Sequence, residues 1–419
     1  MQKYYVESIT NELNSGGYEE VDSISSQIID EHKTLLGESF DIDEEHSNLP
    51  YIYWLPKQHK VPPKCRFVVS GKFCTLKSVS KSISKALKVI QKCIGFRCSY
   101  DFKFEKSSAF WIIDNSVKVH DSFNEINRYH MAKSVNTYDF STLYTMIPHD
   151  KLIERIEKVV RMGFDTSKKN FIRVNKRNAT WAEKLPAKPS LIYYDIENLM
   201  ERIKFLLNNL YIIYGGKIYK QVIGIPIGSD CSQDLANLFL FSYEYDHVKS
   251  LKDEGNDDAE LLGHSHRYID DLLTLNDIDY MDRICSEIYP NELVLNKTNS
   301  STTTANYLDL KISIDNNKFK TELYDKRNEF SFKVISLPHM DSNVPARSSY
   351  GVFTSQVYRL FRANSGITGF YNSTRHLMDK LLKQGFNSGL LKYHLAKFLN
   401  KHFLEITFKY WEIVEVNKF

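Results

Sequence analysis

Arg267-Tyr-Ile-Asp-Asp-Leu-Leu-Thr-Leu275 sets two adjacent carboxylates into an otherwise apolar segment. It reads as a strand interrupted at Asp270-Asp271. Buried charges are costly unless they find a partner, so the pair asks for one. A turn at the aspartates would let both reach a cation, and magnesium prefers oxygen ligands of this kind. Phosphoryl transfer to a 3′-hydroxyl uses two such ions about 3.5–4 Å apart. Taken alone, the pair could equally be the edge of a loop.

Upstream, Tyr138-Asp139-Phe140-Ser141 falls in a segment, Asn136 to Tyr144, that predicts a strand and a turn, and it adds one carboxylate. A two-metal site wants a carboxylate from a neighbouring strand, which Asp139 can supply. Tyr144, five residues on, can pack under a sugar or simply fill a core. Between the two acidic elements lies Gln221-Val-Ile-Gly-Ile-Pro-Ile-Gly-Ser229. Gly224 and Gly228 allow close backbone approach, and Pro226 fixes the turn. Such a turn also has a purely structural reading.

Further out, Tyr51–Trp54 and Arg66–Ser70 predict strands around a basic, proline-stiffened loop, Leu55–Pro63. Val79, Ile83, Ala86, Leu87 and Ile90 have helical spacing, with Lys77, Lys81, Lys85, Lys88 and Lys92 as a parallel stripe. That stripe is either a solvated face or a track for phosphates. A helix is predicted past Pro148, stopping at Gly163, and another from about Asp195 to Leu210. Hairpins are predicted for Tyr211–Tyr214 with Lys217–Gln221, and for Tyr307–Ile314 with Phe319–Tyr324. Beyond Tyr350 the pattern is helical.

The 419 residues are 42% hydrophobic and 13% aromatic, enough for about two or three packed subdomains. Residues 1–50 hold two lysines against twelve acidic residues, a net of −10, which leaves +13 for the rest of a chain whose total is +3. The body is therefore basic and the leader acidic, as suits a body that meets phosphate. The six cysteines form neither a zinc pattern nor a disulfide scaffold. With no apolar run of 18 residues and no secretory start, a soluble intracellular protein without a membrane partner is expected.

An aspartate strand, a Gly-x-Pro-x-Gly turn with helix, then Tyr-x-Asp-Asp is the motif order of reverse transcriptases. The wording resembles the Penelope-like retroelement enzymes more closely. It does so in Tyr53-Trp-Leu-Pro-Lys-Gln-His-Lys60, Asp139-Phe-Ser-Thr-Leu-Tyr-Thr145, Gly224-Ile-Pro-Ile-Gly228, Arg267-Tyr-Ile-Asp-Asp-Leu272, Tyr307-Leu-Asp-Leu310 and Leu323-Tyr-Asp-Lys-Arg327. The match covers roughly residues 50–365, and its specificity lies in the ordered set.

The resemblance implies an α+β right hand: an acidic leader (1–49), fingers (50–130), a palm with an antiparallel sheet (131–345) and a helical thumb (346–419). It implies RNA-directed DNA synthesis from deoxynucleoside triphosphates on an RNA template and a DNA primer, with two Mg2+ ions. Asp139, Asp270 and Asp271 match the metal-binding carboxylates. Tyr144 matches the residue that excludes a ribose 2′-hydroxyl, and Gly224, Pro226 and Gly228 match the turn behind the templating base pair. Lys57, Lys60 and Arg66 match the triphosphate-neutralising segment. With Phe140 and Gln221 these make up the expected nucleotide-binding set. Lys297 matches a lysine of a mobile palm loop proposed to protonate pyrophosphate, and it also reads as a solvated lysine. Tyr307–Leu310 matches the hairpin that grips the primer strand.

Two departures stand out. Ile227 replaces a Gln common among relatives, so template-side contacts there are expected to differ. The C-terminal Gly-Ile-Tyr/Tyr-Ile-Gly nuclease of many Penelope-like proteins has no counterpart after Tyr350, so an endonuclease-lacking type or a truncated copy is expected. Retroelement biology implies nuclear residence; the oligomeric state is left open. The rival readings are an RNA-dependent RNA polymerase, against which an aromatic Tyr144 argues, and a non-catalytic RNA-binding protein of retroelement origin, against which three intact carboxylates argue.

Overall fold

The computed structural model describes residues 2–37, 46–57, 64–105, 108–187, 191–330, 332, 334, 335 and 337–416. The chain divides into two compact units. One holds Met1–Ile112, Asp139–Asp270 and Tyr280–Asn296, the other Ile113–Tyr138, Asp271–Asp279 and Lys297–Phe419. No helix among the described residues is long and apolar enough to cross a membrane.

In the first unit a five-stranded sheet runs in the order Tyr18–Val21, Lys217–Gln221, Tyr211–Tyr214, Tyr51–Lys57, Lys64–Ser70. The Gly215-Gly216 turn closes its central hairpin, both glycines at positive φ (60° and 80°) as a tight turn demands. The acidic leader is part of this unit. Its helix Gln2–Leu13 packs Ile9 and Leu13 against Ile52, Val69 and Ile212. Its strand Tyr18–Val21 covers one edge of the sheet, with Glu20 paired to Lys217 at 2.8 Å.

Strand Tyr51–Lys57 pairs antiparallel with Lys64–Ser70, in register Leu55 with Arg66 and Lys57 with Lys64. Of the segment expected as a loop, residues 58–63 lie outside the described residues, and Leu55, Pro56 and Lys57 instead continue the strand. Proline is tolerated there because the neighbour on the other side is reached only at Tyr51.

Helix Lys77–Glu105 buries Val79, Ile83, Ala86, Leu87 and Ile90 completely, as their spacing predicts. Its lysine stripe is largely tied down. Lys77 pairs with Asp230 at 2.7 Å, Lys85 donates to the carbonyls of Asn175 and Lys176, and Lys88 lies 3.8 Å from Asp234. Helix His149–Ser167 runs through Gly163 instead of stopping there. A Cβ on Gly163 would stand 2.6 Å from Cγ2 of Ile90, so this glycine allows close helix packing. The helix ends at Lys168, whose left-handed conformation (φ 56°) caps it. Asp195 caps helix Ile196–Asn208 by accepting from the Asn198 amide.

The second unit carries a three-stranded meander, Thr304–Tyr307, Leu310–Asp315 and Lys318–Leu323. The segment expected as one strand, Tyr307–Ile314, instead turns at Leu308-Asp309, with Leu308 at φ 54°. Asn316 and Asn317 make the next turn with positive φ at both positions. Helices Ala346–Ala363, Ile367–Leu382, Ser388–Lys401 and Phe403–Val416 follow, around a core of Phe353, Val357, Phe361, Phe370 and Tyr410.

A four-stranded sheet, in the order His266–Tyr268, Asp271–Leu275, Val135–Phe140, Leu295–Lys297, supplies residues to both units. The division falls within two of its strands, between Tyr138 and Asp139 and between Asn296 and Lys297, and at the Asp270–Asp271 peptide bond.

Candidate active site

Asp139 lies at the end of Val135–Phe140, whose other residues are all buried. Asp270 and Asp271 sit where the chain turns between strands His266–Tyr268 and Asp271–Leu275, and Ile269 makes that turn at φ 58°. A β-branched residue in left-handed backbone is strained, and such strain persists only where surrounding contacts enforce it. The Phe140 amide donates to the Asp270 carbonyl at 3.0 Å, tying the two acidic elements together. Carboxylate oxygens of Asp139, Asp270 and Asp271 lie within 4.8 Å of one another. Burial, and Asp139 beside it, push the Asp270 carboxyl above its usual range, against the pull of Arg66 and Lys57. Three clustered, half-buried oxygen donors fit a hard divalent cation.

Tyr144 lies on the short helix Leu143–Met146, half-buried. Burial chiefly, then Asp270 and Asp234, raise its phenol above the ordinary range. The turn that follows in sequence is built directly on Tyr144. The Ile225 amide donates to the Tyr144 carbonyl at 2.8 Å, and the Gly224 amide to Ile147 at 2.8 Å. Gly224 has φ 80°, and a Cβ there would stand 2.4 Å from the Tyr144 oxygen. At the other end, the Val69 amide donates to the Ile227 carbonyl at 2.7 Å. A Cβ on Gly228 would meet the Val69 oxygen at 2.2 Å. Pro226 is buried between these anchors. The turn thus bridges Tyr144 to the strand that carries Arg66.

The other expected residues are placed as follows. Lys57 and Arg66 act electrostatically on Asp270, and Arg66 also on Tyr144. Lys60 lies outside the described residues. Phe140 and Gln221 are both buried. The Phe140 ring, 3% exposed, packs edge-on against Tyr289 at 4.8 Å. Gln221, 2% exposed, donates its amide to the Ile223 carbonyl. Lys297 stands on strand Leu295–Lys297, not in a loop, its ammonium 5.8 Å from the Tyr138 ring centroid. Tyr307 is buried, and its hydroxyl donates to the Asp271 carbonyl at 3.3 Å.

The sequence reading gave no role to what lies beneath the Asp-Asp turn. Arg267 is fully buried and paired with fully buried Glu244, with Nε 2.5 Å from Oε1. The same guanidinium reaches Asn237 and the carbonyl of Ile269. A signal was available. Asn237 and Glu244 stand seven residues apart, on one stripe of the buried helix Ser232–Asp253. A buried carboxylate on such a helix asks for a buried cation.

No family model matches the chain, and no curated protein is similar to it in sequence. Comparison with solved structures finds likenesses of fold. The chain is similar to the telomerase of Candida albicans, solved in complex with the TWJ fragment of telomeric RNA, with TM-score 0.58 and 13% identity over 98% of this chain. It spans 65% of the length of that telomerase chain. Weaker likenesses, which carry no argument, are to apo telomerase from Candida tropicalis (TM-score 0.49, 12% identity, 98% of this chain and 64% of that one) and to the Sicinivirus 3Dpol RNA-dependent RNA polymerase (TM-score 0.42, 10% identity, 92% and 74%). The fold is therefore similar to that of the Candida albicans telomerase.

Proposed function

We propose that this chain is an RNA-directed DNA polymerase, extending a DNA primer on an RNA template with deoxynucleoside triphosphates. The observation that carries the reading is the meeting of Asp139, Asp270 and Asp271 in one cluster. Within the first unit, Asp270 acts electrostatically on Tyr144, on whose carbonyl the Gly224–Gly228 turn is built. In this proposal the three aspartates hold two magnesium ions. When bound, these ions supply charge to activate the primer 3′-hydroxyl and to steady the leaving pyrophosphate.

The chain's own residues do the rest. Lys57 and Arg66 offer cationic donors to the triphosphate, Arg66 in a fork that suits phosphate oxygens. Tyr144 excludes a 2′-hydroxyl from the sugar's place by overlap. The Gly224–Gly228 turn presents bare backbone where a Cβ would crowd its neighbours. The division into fingers (50–130), palm (131–345) and thumb (346–419), Penelope-like descent and nuclear residence belong to the same proposal.

The test is primer extension on an RNA template with Mg2+, for wild type and Asp270→Asn, with template binding measured alongside. The reading expects DNA synthesis by wild type, abolished by chelation or by the substitution, with binding retained. Extension by Asp270→Asn at the wild-type rate would sink the catalytic assignment. Extension with ribonucleotides alone would make the chain an RNA polymerase.

A further inference from the structure

The left-handed turn that aims the aspartates is held from within. The peptide between Ile269 and Asp270 fixes the direction in which Asp270 leaves the turn. Its carbonyl accepts from Arg267 Nη1 at 3.0 Å. The guanidinium is not free to drift. Nε and Nη2 grip both oxygens of Glu244 at 2.5 and 3.1 Å, while Nη1 and Nη2 reach the Asn237 side chain and carbonyl, each at 3.0 Å. Glu244 is itself fixed by the Tyr289 hydroxyl at 3.0 Å. Arg267 and Glu244 are both 0% exposed.

A buried ion pair does little for stability compared with an apolar replacement, so its presence under a strained turn calls for another reason. We infer that Arg267 is a positioning residue: anchored by Glu244 and Asn237, it locks the Ile269–Asp270 peptide so that Asp270 and Asp271 stand at metal-binding separation from Asp139. The inference rests on reading those aspartates as metal ligands. The fork is essential to it. A lysine could answer Glu244 but has no second nitrogen on a rigid plane to hold the Ile269 carbonyl at the same time.

The experiment is a Mn2+ titration of the full chain without substrate, reading free Mn2+ by electron paramagnetic resonance, for wild type, Arg267→Lys and Asn237→Leu. Thermal melting identifies the folded variants. A merely structural arginine would lower the melting temperature and leave the Mn2+ dissociation constant of the folded protein unchanged. The inference expects that constant to rise tenfold or more in Arg267→Lys. If that variant does not fold, Asn237→Leu, which keeps the ion pair, should show about a threefold rise. A constant within twofold of wild type in a folded Arg267→Lys overturns the inference, or in Asn237→Leu if only that variant folds. So does a wild type that takes up no Mn2+. A wild type that binds Mn2+ but does not extend primers removes the polymerase reading alone, while a wild type that extends primers beside an Arg267→Lys with unchanged Mn2+ affinity removes this inference alone.

Discussion

The carbonyl oxygen of Tyr144 occupies the space a Cβ on Gly224 would need, at 2.4 Å. Both the left-handed backbone and this contact reserve the position for glycine. Gly224→Ala must therefore push the turn away from Tyr144 or strain both. We expect a loss of about 1–3 kcal/mol in stability, and at least a tenfold fall in primer extension in the folded protein. Gly215→Ala is the control. Gly215 also has positive φ (60°), but a Cβ there meets nothing within 4 Å. It should lose stability by backbone strain and keep its extension rate. Equal activity losses in the two variants would remove the special role of Gly224.

Tyr144→Ala separates a sugar gate from a packing residue. The ring is half-buried, so truncation should cost less than the ~3–5 kcal/mol of a fully buried aromatic. If the ring excludes a 2′-hydroxyl, the ratio of ribonucleotide to deoxynucleotide incorporation rises in the variant. Melting temperature and that ratio are measured together. A lower melting temperature with an unchanged ratio leaves Tyr144 as packing only.

Arg66 and Lys57 share one face of their hairpin, since Leu55 pairs with Arg66 and Lys57 with Lys64. Both act on Asp270. Arg66→Ala should raise the apparent KM for nucleotides about tenfold, with kcat and template affinity changed much less. Were the loss confined to template affinity, the hairpin would belong to the nucleic-acid track.

His32, on leader helix Ser25–Leu36, is 1% exposed and shares a hydrogen bond with Thr75 at 2.7 Å. Burial lowers its pKa to about 4. Because this value lies below the unfolded one, the unfolded chain binds the extra proton first. Stability is thus full above about pH 6.5 and drains as pH falls toward 4. By pH 5 this one group should cost about 2 kcal/mol. Denaturation midpoints at pH 7 and pH 5 should differ less in His32→Gln than in wild type. An identical pH response in the two would show that His32 is not the group responsible.

What could be read from sequence was local. Asp139, Asp270-Asp271 and the Gly224–Gly228 turn announce themselves by charge inside apolar strands and by glycines flanking a proline. Tertiary partners were not legible. Gly163 carries the usual mark of a helix end, yet the helix runs on past it to Ser167, and the glycine instead makes room for Ile90, which comes within 2.6 Å of where its Cβ would be. The lysines of helix Lys77–Glu105 resemble a phosphate track, yet Asp230 and the carbonyls of Asn175 and Lys176 take two of them. Arg267 reads as a flanking charge until Glu244 is seen under it. The leader's acidity gave no sign of the strand whose Glu20 answers Lys217.

That leader strand also orders events during synthesis. Val21 pairs with Ile218. At ~5–20 residues per second, roughly 10–40 s separate the appearance of the two partners. Throughout that interval the strand Tyr18–Val21 has no neighbouring strand to pair with. Its docking comes when Lys217–Gln221 emerges, immediately ahead of the Gly224–Gly228 turn, and Gly17 then accepts the amides of Val222 and Ile223. The strand Tyr18–Val21 thus settles long after it is made, and its arrival coincides with closure of the turn beside Tyr144.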